Sequence, residues 1–307
     1  MGNKIFDVAI VGAGCAGLSA AVYAARFGMK AIVLSKNKGG LITETHLVEN
    51  WPGEKSISGM ALAQKLLGHV ENYGVPVEYE EVEAITKAKN LFLVKTTSSE
   101  YSTKAVILAT GSAHRHLGIP GEEKFKNKGV SFCALCDAAF FKNKAVAVIG
   151  GSDSAAKEAL LLSEHASKVY IIYRRDKLRA EPINLDRVRG NRKIEIICNT
   201  NLVEIAGEKV VSKAVLDKPF KGSKELALSG VFVAVGQVPQ SKLAAGLGAK
   251  LNESGEIAVD AGMRTSVEGL FAAGDVTAFD FKQAIVSAAQ GATAVFSAFG
   301  YLGKGRG

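Results

Sequence analysis

Cys133-Ala134-Leu135-Cys136-Asp137 sets two thiols two residues apart, with a carboxyl group beside the second. A pair at this spacing serves as half of a zinc site, as a structural bridge, or as a couple that makes and breaks one disulfide. The only other cysteines are Cys15 and Cys198, and neither has a Cys or His at ligand spacing, so a zinc site lacks its second half and no metal is expected. A bridge across two residues closes too small a loop to stabilise much, and a chain of 307 residues buries a core without staples. Redox chemistry is the favoured reading. Because only a thiolate attacks a disulfide, one of the two thiols must be activated by a neighbouring group or a helix N-terminus.

The elements that would drive such a pair lie on both sides of it. The strand Phe6-Asp7-Val8-Ala9-Ile10-Val11 runs through Gly12-Ala13-Gly14-Cys15-Ala16-Gly17 into a small-residue helix, Leu18 to Phe27. This is G-x-G-x-x-G in its strand–turn–helix setting. Gly12 makes the turn, Gly14 lets a pyrophosphate approach the backbone, Gly17 packs helix on strand, and the helix N-terminus offers unpaired N–H groups to the phosphates. An ordinary tight turn is the plain alternative. The acid that usually holds a ribose at the end of the next strand, Ala31-Ile32-Val33-Leu34, is replaced by Ser35-Lys36.

A second unit begins at Lys144-Ala145-Val146-Ala147-Val148-Ile149 and turns at Gly150-Gly151-Ser152-Asp153-Ser154-Ala155 into the helix Ala156 to His165. Its next strand, Val169-Tyr170-Ile171-Ile172, ends in Tyr173-Arg174-Arg175-Asp176-Lys177-Leu178-Arg179. Cations stand where an acid would accept from a 2′-hydroxyl and repel a 2′-phosphate, and guanidinium forks pair with that phosphate. Arg174, Arg175 and Arg179 therefore predict NADPH over NADH, with a salt-bridged surface turn as the plain alternative. Ser152 replaces the second glycine, and its Cβ is expected to crowd the pyrophosphate although its hydroxyl can donate to it.

Composition excludes several classes. No secretion signal is visible, because Ile5 to Val11 is short, carries Asp7 and runs into glycines. Ala284 to Leu302 is apolar but interrupted by Gln290 and several Ser, Thr and Gly, and reads as a buried helix with no membrane partner. A cytoplasmic location follows, where a Cys-x-x-Cys is catalytic more often than structural. The net charge of +8 is scattered, and its densest run, Arg187 to Lys193, has no interleaved aromatics, so nucleic acid is not an expected partner.

Taken together, the chain resembles the low-molecular-weight thioredoxin reductases, two-domain flavoproteins of the pyridine nucleotide-disulfide oxidoreductase class. The resemblance is carried by Gly12 to Gly17, Gly39-Gly40, Glu49-Asn50-Trp51-Pro52-Gly53, Ala109-Thr110-Gly111, the Cys-x-x-Cys-Asp segment, the arginine set, Val235-Gly236 with Pro239, and Ala273-Gly274-Asp275-Val276. It implies an α/β fold of two Rossmann-like, three-layer domains, the second inserted into the first. Residues 1–115 and 240–307 would hold FAD, and residues 116–239 would carry NADPH and the cysteines. Gly12, Gly14, Gly17, Gly39, Gly40, Asn50, Thr110, Gly111, Gly274, Asp275, Gln283 and Ala284 would bind the flavin nucleotide. Gly150, Gly151, Ser152, Ala155 and the three arginines would bind NADPH. The family implies that Cys136 faces the flavin, that Cys133 attacks a thioredoxin or thioredoxin-like partner, that Asp137 is acid and base for the thiols, and that the enzyme is a homodimer. A helix N-cap remains open for Asp137.

Three departures from the family pattern are Leu41 after Gly39-Gly40, Lys282 before Gln283, and Ala138-Ala139 after Asp137. Since the cysteines and the second nucleotide site share one domain, they are expected to take turns at the flavin by a swing about hinges at residues 112–118 and 239–244. His114 and His116 fall at the first hinge and are expected to be exposed and not catalytic. Phe140-Phe141, with Lys128, suits either partner docking or core packing. A ferredoxin or deazaflavin donor in place of NADPH, and a non-catalytic FAD-bound redox sensor, are the rival functions.

Overall fold

In the computed structural model, which describes residues 5–304, the chain forms two compact units: residues up to Ala113 with those from Val238 onward, and His114–Gln237 between them. The chain runs through β1 (Ile5–Val11), α1 (Cys15–Arg26), β2 (Ala31–Leu34), α2 (Gly59–Asn72), β3 (Val77–Glu78), β4 (Val82–Ala88), β5 (Leu91–Thr96) and β6 (Glu100–Leu108). It passes into the second unit by β7 (Ser112–His114). There follow β8 (Val130–Ser131), α3 (Ala134–Asp137), β9 (Ala145–Ile149), α4 (Asp153–His165), β10 (Lys168–Ile172), α5 (Pro182–Gly190), β11 (Ile194–Ile197), β12 (Leu202–Gly207), β13 (Val211–Phe220), β14 (Ser223–Ala227) and β15 (Gly230–Val233). After β16 (Gln237–Pro239) come α6 (Lys242–Gly246), β17 (Leu270–Ala272) and α7 (Ala284–Lys304). The units divide between residues 113 and 114 and between 237 and 238, each two residues earlier than the sequence reading set them, within the paired strands β7 and β16.

The first unit's sheet runs β3-β2-β1-β6-β5-β4, with β17 also on β6. β1 is parallel to β2 and β6, and β4, β5 and β6 are antiparallel neighbours. Side chains alternate across a strand, so a strand covered on both faces reads as a continuous apolar run. Ile10, Val33 and Ile107 enter one core with Leu18 of α1 and Ala294, Val295 and Ala298 of α7. Ala9, Ile32 and Val106 enter the opposite one with Phe92 and Ala244. α7 is long and apolar enough to cross a membrane by length and composition, yet 44% of that apolar window is buried inside the fold.

The second unit repeats the plan with a parallel sheet, β11-β10-β9-β15-β8, and an antiparallel ribbon, β12-β13-β14. Val148, Ile171 and Phe232 face α4, while Ala147, Ile172 and Val231 face the ribbon residues Ile205 and Leu216. Each unit thus has a covered set of parallel strands, extended in the first by the antiparallel β4 and β5, that delivers its first glycine turn at the carboxyl ends of those strands, where nucleotides bind in such folds.

Candidate active site

In the second unit Cys133 and Cys136 form a disulfide, with Cα atoms 5.4 Å apart. Cys133 is half-buried at the N-cap of the four-residue α3, its Sγ accepting from Cys136 N–H at 3.1 Å, and Cys136 is exposed. Ser131, the last residue of β8, fixes the approach: its Oγ accepts from Cys133 N–H at 3.1 Å. Asp137 ends α3 and stands at the N-cap of a following 3-10 turn, Ala138–Phe141, but its side chain makes no capping bond. The capping alternative is therefore not realised, and the carboxylate remains beside the sulfurs in sequence.

The two phenylalanines separate. Phe140 is 72% exposed, whereas Phe141 is 8% exposed and packs edge-on against Phe232 at 5.2 Å between ring centroids. Phe141 is core, which removes it as a docking residue and leaves Phe140 with the exposed Leu135 on the surface around the disulfide. One of the two histidines departs from expectation. His116 is exposed, but His114 is half-buried, and both rings lie against Phe132, at 5.7 Å for His114 and 4.8 Å for His116. They flank the residue that precedes Cys133.

In the first unit the glycines do what their positions require. A Cβ on Gly12, whose φ is +114°, would lie 2.2 Å from Ala109 O, and one on Gly17 would lie 1.8 Å from Gly12 O. Gly14 caps α1 in extended conformation, and a Cβ there would meet nothing nearer than the Gly39 carbonyl and Gly40 Cα at 3.9 Å. The first turn of α1 holds no acid and no side-chain cap. A helix N-terminus with free N–H groups facing a lip of bare glycine backbone fits a pyrophosphate, and it is the observation on which FAD fits this unit.

The returning segment completes that end of the sheet. Gly274 N–H donates to Gln290 Oε1 at 2.8 Å, and Ser287 Oγ donates to Asp275 Oδ1 at 3.2 Å. Burial raises the Asp275 carboxyl above the usual carboxylate range, against the opposing effects of Ser287 and Lys282. Cys15, buried in the first turn of α1, is pushed up to about 11 by burial and by the Asp275 charge, so it is an inert thiol. Asn50 Nδ2 donates to Gln283 Oε1 at 3.1 Å across 233 residues of sequence, bringing two expected flavin residues together at the start of α7 with Ala284. Thr110 Oγ1 donates to Gln240 O at 2.7 Å, and Gly111 takes φ +63°. Lys282 Nζ donates to the carbonyls of Asp275 and Thr277 and pairs with Glu256 at 2.9 Å, so it closes the Asp275–Thr277 loop. At the position of the missing ribose acid, Lys36 is paired with Glu81 at 2.7 Å.

The second glycine turn has the same backbone and different furniture. Ser152 caps α4 at φ −84°, ψ 176°, close to Gly14 at φ −83°, ψ −171°, and its hydroxyl makes no capping bond. Gly150, at φ +150°, would carry a Cβ 2.2 Å from Ala234 O, and Ala155 is fully buried where the first unit has Gly17. Asp153 opens α4. Burial pushes its carboxyl up, but Lys157, the Asn184 amide and Glu181 N–H together hold it below the usual range. The arginine loop is tied to this turn: Arg179 N–H donates to Gly151 O at 2.6 Å, and Arg179 Nε donates to Tyr173 Oη at 3.1 Å. Arg174, Arg175 and Arg179 are exposed, as a site that meets a ligand's phosphate requires.

Sequence reasoning missed three residues here. Asp153 anchors the segment after the arginines through Glu181 N–H at 3.0 Å, Tyr173 holds Arg179, and Gln290 holds the Gly274 backbone. Gln290 had a signal, as a polar residue inside an apolar helix. Among the described residues no group of three His, Cys, Asp or Glu side chains converges on a metal position.

The pyridine nucleotide-disulphide oxidoreductase model matches residues 6–291. The thioredoxin reductase of Treponema pallidum (strain Nichols) is 43% identical over 300 residues, 97% of each chain. Two solved structures superpose on nearly the whole chain. The Lactococcus lactis thioredoxin reductase, in a form described as the FR conformation, gives a TM-score of 0.94 at 39% identity, covering 97% of this chain and 99% of that one. The T. acidophilum thioredoxin reductase gives 0.92 at 40% identity with the same coverage. The redox pair, the two glycine turns and these likenesses agree: the chain belongs to the pyridine nucleotide-disulphide oxidoreductases, in the family of low-molecular-weight thioredoxin reductases, enzymes that use FAD and NADPH.

Proposed function

We propose that Cys133 and Cys136 are the electron relay of a thioredoxin-disulfide reductase, with FAD held by the first unit, NADPH by the second, and a thioredoxin or thioredoxin-like protein as substrate. One observation carries the reading: the disulfide lies in the same unit as the arginine-flanked glycine turn, beside a carboxylate that makes no cap.

When bound, the two cofactors supply two-electron transfer from a nicotinamide hydride to a disulfide. Gly12, Gly14, Gly17, Gly39 and Gly40 would seat the flavin pyrophosphate, and Asn50, Thr110, Gly111, Gly274, Asp275, Gln283 and Ala284 the rest of that nucleotide. Gly150, Gly151, Ser152 and Ala155 would seat the NADPH pyrophosphate, and Arg174, Arg175 and Arg179 its 2′-phosphate. The Cys133–Cys136 bond takes up two electrons and two protons and becomes a dithiol. Cys133 thiolate then attacks one sulfur of the partner disulfide and expels the other. Cys136 thiolate attacks Cys133 Sγ in the mixed disulfide, which restores the internal bond and releases the partner as a dithiol. Asp137 gives and takes the proton at the cysteine sulfurs. Phe140 and Leu135, exposed beside the pair, supply an apolar contact for the partner.

Because one unit carries both the disulfide and the NADPH residues, the unit would turn about the paired strands β7 and β16 to present them alternately. A homodimer is favoured by the aromatic patch at the C-terminal end of α1 and on α7, where the ring of Phe27 lies 5.1 Å from that of Phe299 and 6.2 Å from that of Phe296, itself 67% exposed. Reversible dithiol chemistry favours a cytoplasmic location, where thiols are kept reduced. The test is NADPH-dependent disulfide reduction with a panel of thioredoxin-like partners. Turnover that vanishes in both Cys133→Ser and Cys136→Ser supports the relay, and turnover that survives either change removes it and favours a sensor.

A further inference from the structure

We propose that Tyr173 is a positioning residue for NADPH selectivity, acting through Arg179 and without touching the nucleotide. The inference rests on the NADPH reading of the arginine set and deepens it. Tyr173 follows β10 directly and is 6% exposed, so its ring belongs to the core and not to the surface loop that it introduces. Its main chain is pinned on both sides, N–H donating to Ile197 O at 2.9 Å and C=O accepting from Thr200 N–H at 3.1 Å. From this fixed base its hydroxyl accepts from Arg179 Nε at 3.1 Å.

The same ring supports the glycine turn. A Cβ on Gly151 would lie 2.5 Å from each of three Tyr173 ring carbons, so the ring face lies against the Gly151 Cα. Arg179 N–H donates to Gly151 O at 2.6 Å, and Ser152 and Arg179 form a β-bridge. Turn, ring and guanidinium thus make one rigid assembly. An exposed arginine loses rotamer freedom when it grips a phosphate, and a bond at Nε made beforehand removes part of that cost while leaving the terminal nitrogens of the fork free. Arg174 and Arg175 make no corresponding bond to the tyrosine, so the effect is assigned to Arg179 alone. An NADH molecule has no 2′-phosphate and gains nothing from the arrangement.

The test is equilibrium binding of 2′,5′-ADP and of NAD+, which lacks the 2′-phosphate and donates no hydride, to FAD-loaded wild type, Tyr173→Phe, Arg179→Ala and the double variant. Tyr173→Phe keeps the ring against Gly151 and deletes only the acceptor. It is expected to weaken 2′,5′-ADP about fivefold to tenfold, the scale of one ordinary hydrogen bond, and to leave NAD+ within about twofold. The double variant is expected to match Arg179→Ala, because the hydroxyl acts through that side chain. If Arg179→Ala weakens 2′,5′-ADP while Tyr173→Phe does not, or if Tyr173→Phe weakens both ligands equally, the positioning role is overturned. If Arg179→Ala leaves 2′,5′-ADP unchanged, the reading of the arginines fails and this inference falls with it.

Discussion

The two glycine turns share a backbone and differ in nearly every side chain. Gly14 and Ser152 cap their helices at almost the same φ and ψ. The turn of the first unit is bare: Gly14 faces the backbone of Gly39 and Gly40, and no acid occupies the first turn of α1. The second is braced by side chains, with Asp153 holding Glu181, Tyr173 holding Arg179 and a serine at the cap. A bare cradle lets a nucleotide approach the main chain closely and suits a cofactor that stays. A braced turn with exposed cations suits a ligand that comes and goes and is recognised by its charge.

Four substitutions test that contrast. Gly12→Ala forces a Cβ to 2.2 Å from Ala109 O at a φ of +114°, so the purified protein should contain little or no FAD, as read from its absorbance. Retention of full FAD would contradict the role of the bare cradle. Arg179→Ala should leave the FAD content intact and raise the Kd for NADPH by about tenfold to a hundredfold, in line with the loss of a charge-assisted pair. A parallel loss of FAD would erase the contrast between the two turns.

Asp275→Asn probes the cost of the half-buried carboxylate in the first cradle. Its folded pKa is raised, so the penalty is absent below the unfolded value, grows as pH rises through the window between the two values, and is complete above the folded one. FAD-free Asp275→Asn should therefore have a higher Tm than the FAD-free parent at neutral pH, and the gap should close as pH falls through that window. A gap that widens on acidification would reverse the assigned sign. Ser152→Gly should have the smallest effect, tightening NADPH by about threefold or less, since the cap already holds the glycine-like conformation and only a Cβ and a hydroxyl are removed. Weaker binding would show instead that the hydroxyl donates to the nucleotide.

Much of this architecture was legible in the sequence because its signals are local. Phe6 to Val11 followed by Gly12 to Gly17 can scarcely be anything but a strand delivering a helix N-terminus, and Val146 to Ile149 followed by Gly150 repeats it. The cysteine pair was legible for the same reason: its spacing is its chemistry. What escaped depends on contacts across long stretches of chain. Gln290 bonds to Gly274, 16 residues away, and Asp153 bonds to Glu181, 28 away. Phe140 and Phe141 are identical in type and adjacent, yet a 3-10 turn sends one to solvent and the other against Phe232. Periodicity cannot separate them, because the turn is too short to have a period.

The relay itself is tested most directly by anaerobic titration of the FAD-loaded enzyme with NADPH, followed by alkylation and mapping of the labelled cysteines. The account predicts that the flavin absorbance bleaches and that Cys133 and Cys136 become alkylatable together. A flavin that stays oxidised under excess NADPH, or one that bleaches while the Cys133–Cys136 bond remains closed, would contradict it.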